Sequence, residues 1–197
     1  MKLGNTRQAI HDALAWGYLQ TGLVGIGEYL VYLTRVEKSM TRKDTNVDFM
    51  EAGYVCAAIN VLAPHLGGWL KFAYGPEDLA LIQSILAAKL RFDLFPLGSA
   101  KRHIKLLSLS SVSLEDYRLR LRRNREMPVT VYAERMNVNA DNWARDEWQN
   151  KRDVCLKTIM NWDREGVGQV SRMVKSLRGE NNDGERPSEI LSDLRTT

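Results

Sequence analysis

Cysteine is nearly missing from this chain: Cys56 and Cys155 are the only two, and each stands among apolar neighbours. Two such residues cannot build a disulfide framework, and they fall short of a four-ligand zinc site. Read as reduced core thiols, they point to a cytoplasmic protein. Histidine is equally scarce. His11, His65 and His103 lie far apart with no metal-ligand spacing, and no serine or cysteine occupies a nucleophile motif, so no catalytic residue, metal or cofactor is expected. Long hydrophobic runs are absent too. The most apolar stretch, Leu23 to Leu33, is interrupted by Glu28 and stops short of the ~18 residues a membrane span needs. With no continuous apolar run after Lys2, neither a secretory leader nor a membrane partner is expected. Period-two alternation is also lacking. Apolar residues recur at helical spacing almost throughout, which predicts an all-α, multi-helix bundle.

What the chain does have is basic charge in one place. Residues 1–100 hold nine Lys and Arg against nine Asp and Glu, 126–178 hold nine against eight, and 179–197 hold two against five. Between 101 and 125 the count is eight against two, more than the whole net charge of +4. A phosphate-facing surface leaves this footprint, and a solvated helical face is the plainer alternative. Three regions follow: a partner-facing helical region at 1–98, a basic DNA-binding region at 99–178, and an acidic tail at 179–197 whose composition predicts disorder.

Cap signals place the helices. Asn5 with Gln8 opens one that runs to about Tyr18, a second spans about Leu23 to Glu37, and Asp48 with Glu51 opens a third that stops near Pro64. The glycines at 22, 25 and 27 have no preceding strand and no following Gly-Lys-Ser/Thr, so close helix packing explains them better than a nucleotide loop. Trp69, Phe72 and Tyr74, with Lys71 the one basic residue among them, read as core. Pro76 starts a helix with Leu79, Ile82, Ile85, Leu86 and Leu90 inward, ending before Pro96. A short helix through Lys101 to Lys105 then leads to a serine-rich linker, Ser108 to Ser113. Ser113 is expected to cap an arginine helix that presents Arg118, Arg120, Arg122, Arg123 and Arg125 to phosphate.

The segment Val129 to Arg152 reads as a helix-turn-helix leading into a long helix. Tyr132, Ala133 and Met136 form its first helix, and Asn137-Val138-Asn139 its turn, Asn137 tolerating a left-handed backbone. With Asp141 as cap, Asn142, Arg145, Gln149 and Arg152 would fall within about 80° on the second helix. These side-chain types reach base edges and phosphates in a major groove, and Asn139 at the turn joins them as a DNA-binding candidate. Asp146 and Asp153 flank that face and oppose it. Beyond Arg152 the stripe Cys155, Ile159, Trp162, Val170 and Val174 continues the helix, with Gly166 and Gly168 as a kink site.

The helix opened by Asp48, the stretch Trp69 to Leu90 with its Tyr74-Gly75 step, and the block Val131-Tyr132-Ala133-Glu134-Arg135 followed by Trp143-Ala144-Arg145-Asp146-Glu147-Trp148 resemble the bacteriophage antitermination proteins of the Q type and related late-gene activators. The resemblance covers about Asp48 to Val174. It implies a non-enzymatic transcription regulator, monomeric or dimeric, that binds double-stranded DNA near a late promoter. Host RNA polymerase would be its second partner, the host bacterial cytoplasm its compartment, and Asn142, Arg145 and Gln149 its reading residues. The chain departs from larger members in having no zinc-binding cysteine cluster. An oligomeric packaging protein of small-terminase type, or an adaptor without nucleic acid, are the rival classes.

Overall fold

The computed structural model describes residues 3–20, 49–75, 79–144 and 147–177. Among these the fold is all-α, with seven helices and no strand. None of the described helices is long and apolar enough to cross a membrane. The helix expected at 23–37, the helix start at Pro76 and the acidic tail lie outside the described residues.

The described helices belong to two compact units, one formed by 1–77 with 165–197 and the other by 78–164. The boundary drawn from charge at 98/99 falls inside the second unit. In the first unit α1 (Leu3–Gln20) packs on α2 (Phe49–Val61) and α3 (Pro64–Tyr74). Ile10, Ala13 and Leu14 meet a core that includes Val55, Ile59, Leu66, Trp69, Leu70 and Phe72. Pro64 both stops α2 and starts α3, since its fixed φ suits a first helical residue while its missing N–H cannot continue a helix. The turn between them is tight. A Cβ at Gly67 would lie 2.8 Å from the Ile59 carbonyl oxygen, so only glycine fits there without a shift. The aromatic cluster is core, as expected, while Lys71 between its members reaches out to donate to Asn60 (2.9 Å).

The second unit pairs α4 (Ala80–Leu94) with α5 (Ala100–Arg123), then adds α6 (Val129–Arg135), a 3-10 turn (Ala140–Asn142) and residues 148–164 of α7 (Trp148–Leu177). On α4 the inward face is Leu86, Ala87, Leu90 and Arg91, so Ile85 points to solvent, contrary to its expected burial. Arg91 is buried for a local reason. Its guanidinium donates to the carbonyls of Phe95 (2.6 Å) and Pro96 (3.1 Å), groups that the end of α4 leaves without helical partners.

Two expectations fail along α5. The serine stretch 108–113 is not a linker, and Ser113 does not cap a separate helix, because α5 runs unbroken for 24 residues from its Ser99 cap to a left-handed Asn124. Ser110 and Ser113 are buried and return their hydroxyl protons to the carbonyls of Leu106 (2.9 Å) and Leu109 (2.8 Å), four residues back. Serine satisfied inside its own helix no longer competes with helical backbone bonds. Leu106, Leu109, Val112 and Leu114 supply the burial that holds the helix together. At ~1.5 Å per residue, both halves of the basic window therefore ride on one rod about 36 Å long.

Candidate nucleic-acid interface

The segment from α6 to α7 begins as the sequence suggests. Tyr132, Ala133 and Met136 are buried, and Asn137 adopts φ 51°. Its N–H bonds the Glu134 carbonyl while the Val138 N–H reaches the Ala133 carbonyl, a Schellman closure of α6.

The second helix is not the one expected. Residues 140–142 form a 3-10 turn, and α7 starts only at Trp148. The turn is capped by Asn139, whose side-chain oxygen accepts from the Asp141 N–H at 2.9 Å, so Asp141 does not act as cap. Between turn and helix Glu147 takes φ 57°, with its N–H on the Ala144 carbonyl and the Trp148 N–H on the Trp143 carbonyl. Tryptophan burial supplies the physical reason. On one continuous helix Trp143 and Trp148 would point about 140° apart. The left-handed residue between them lets both indoles turn inward, and both are buried. Trp143 lies edge-on to Tyr132 with ring centroids 5.8 Å apart.

Among the described residues, the expected single-helix face is therefore not formed. Asn142 sits on the 3-10 turn, Arg145 lies outside the described residues, and Gln149 occupies the first turn of α7. Gln149 is engaged on both sides: its oxygen accepts from the Trp143 indole N–H (3.0 Å) and its amide donates to Asp153 (2.9 Å). Arg152 is buried and faces inward.

Arg152 and Arg120 meet instead at a residue the sequence reading passed over. Asp116 is fully buried. Its Oδ1 accepts from the Met127 N–H (2.8 Å) and Arg120 Nε (3.2 Å), and its Oδ2 from the Tyr132 hydroxyl (2.8 Å), Arg152 (3.0 Å) and the second Arg120 nitrogen (3.1 Å). Burial pushes the carboxyl up, but these donors together outweigh it and hold Asp116 below the usual carboxylate range. Burial and then the Asp116 charge push Tyr132 up, so its hydroxyl stays a donor. The Arg152 guanidinium also lies 4.8 Å above the Tyr132 ring. One sequence signal pointed here. Asp116 and Glu115 are the only acids in the basic window, and Asp116 stands four residues before Arg120, the spacing at which helical side chains meet.

Arg120 and Arg152 thus serve the fold, and Arg120 also pairs with Glu126 at 3.0 Å. The rest of the arginine set stands at the end of α5. Arg118 and Arg122 follow one turn apart, and Arg122, Arg123 and Arg125 are exposed. Partial desolvation and then the like charges of Arg118 and Arg123 push Arg122 down to about 10. No group of three His, Cys, Asp or Glu side chains that could hold a metal ion occurs among the described residues.

No protein family, curated protein or solved structure matches this chain.

Proposed function

We propose that this protein binds double-stranded DNA through phosphates at the carboxyl end of α5, as a non-enzymatic transcription regulator. The observation that carries the reading is the crowding of Arg118, Arg122 and Arg123 on one helix end, with Arg125 just beyond it. Like charges at this spacing repel, and a polyanion threaded past them relieves the repulsion while releasing its own counterions. The geometry favours backbone contact over base reading, because Gln149 and Arg152 are held by protein groups. Phosphate contacts position a protein on a duplex without reading sequence. The resemblance to phage Q-type antitermination proteins supplies the proposed setting, a late promoter with host RNA polymerase alongside.

The test is fluorescence anisotropy with a random-sequence duplex across a salt series. Binding should weaken linearly in log–log form, and Arg122→Ala with Arg123→Ala should reduce the slope by about two. Absence of binding to any duplex at low salt overturns the proposal.

A further inference from the structure

The α4–α5 hairpin carries an apolar face that nothing in its own unit covers. On α4, Leu81, Ile85 and Phe92 are 74 %, 60 % and 58 % exposed, and they fall within about 40° of one another, opposite the buried face. Phe92 packs on His103 of α5 with ring centroids 5.6 Å apart, which brings Ile104, 63 % exposed, to the same end. Beside the stripe a groove of about 440 Å³ opens between the two helices, lined by Ser84, Ala87, Leu107, Ser108, Ser111 and Arg135. Small residues along such a seam let a third helix approach closely. The four exposed residues together present roughly 500 Å², within the range for the largest patch on a monomer. With a polar rim it approaches the ~800 Å² that each partner gives to a standard interface.

Charge decides between occupants. Lys101, Arg102 and Lys105 stand in the first two turns of α5, whose first turn has no acidic residue. Lys101 and Arg102 are exposed there. Helix dipoles disfavour cations at that end, and an anion brought from outside would relieve them. Cations at this one end favour a partner that brings carboxylates to it. We infer that the α4–α5 face docks an acidic amphipathic helix of another protein, its apolar side in the groove and along Leu81, Ile85 and Phe92, its carboxylates toward Lys101 and Lys105. The stripe spans about 16 Å, three turns of partner helix. This surface is separate from the arginine end of α5, so the inference stands or falls independently of DNA binding.

The experiment uses the full chain and a fluorescent 16-residue peptide designed as an amphipathic helix, leucines on one face and glutamates flanking it. Saturable one-to-one binding is expected. Ile85→Asp alone, and Lys101→Glu with Lys105→Glu, should each weaken it at least tenfold, with thermal melts and duplex binding unchanged for Ile85→Asp. Failure to saturate, equal binding of a peptide with lysine for glutamate, or variants that bind like the parent would overturn the inference. So would three alternative occupants. These would show as concentration-dependent dimerisation lost in Ile85→Asp, as preferential binding to phosphatidylserine vesicles, or as a photoreactive phenylalanine analogue at position 92 that crosslinks only within its own chain.

Discussion

Arg152 and Asp116, thirty-six positions apart, meet as a buried ion pair at 3.0 Å and tie α5 to α7 inside the second unit. Removing the carboxylate charge would leave Arg152 without its buried counter-ion and take one acceptor oxygen from the donors of Arg120, Tyr132 and Met127. Asp116→Asn should therefore cost about 3–5 kcal/mol, the range for breaking a buried pair, as read from urea midpoints. Unchanged stability would mean that the network contributes nothing net.

The same group fixes an acid limb. Asp116 is held below its unfolded value of about 3.9, so its contribution is fully present above that pH and drains away as pH falls through the folded value. Urea midpoints taken from about pH 7 to about pH 3 should fall on the acid side in the parent and fall less steeply in Asp116→Asn. Parallel curves would assign acid sensitivity to other carboxylates.

Gln149→Ala should act on stability rather than recognition. The Trp143 indole loses its acceptor, at a cost of about 1–3 kcal/mol for a buried donor left unsatisfied. Any change in DNA affinity should be equal on all duplexes. A loss confined to one sequence would restore base reading by this residue.

Glu147→Gly removes a side chain from a left-handed position, where a non-glycine residue costs roughly 1–2 kcal/mol. Part of that gain is offset by the freer unfolded chain. A net stabilisation of up to about 1 kcal/mol is expected in chemical denaturation. A net loss would show that the 3.6 Å Glu147–Lys151 pair outweighs the backbone strain.

Gly67→Ala in the first unit should destabilise by about 1–3 kcal/mol, because the new methyl meets backbone at Ile59 rather than a side chain able to swing away. A neutral result in denaturant melts would mean that α2 and α3 can separate slightly at that turn.

Helix content and most inward positions were legible in the sequence because spacing alone encodes them, as Ile10, Ile59, Leu90 and Ile159 show. The left-handed turn at Asn137 was legible because few residues tolerate that backbone. What stayed hidden depends on partners distant in sequence. Serine at 110 and 113 signals a loop by composition, and only burial against the helix reverses it. Arginine at 120 and 152 signals phosphate, and only Asp116, placed by folding, claims both. The break at Glu147 follows from two tryptophans competing for the interior, a conflict that helical periodicity registers only if both are assumed buried.

The two cysteines fall one in each unit: Cys56 on α2, its thiol directed at the Ala13 carbonyl (3.5 Å), and Cys155 on α7, fully buried, its thiol pushed up to about 12 by burial despite the neighbouring Ser110 and Ser113 hydroxyls. A thiol so buried and so weakly acidic reacts only when its surroundings open. The second unit thus carries its own built-in clock, with no label to engineer: the rate at which a thiol reagent modifies Cys155 times its opening, whereas the half-exposed Cys56 is open to the same reagent in the folded state.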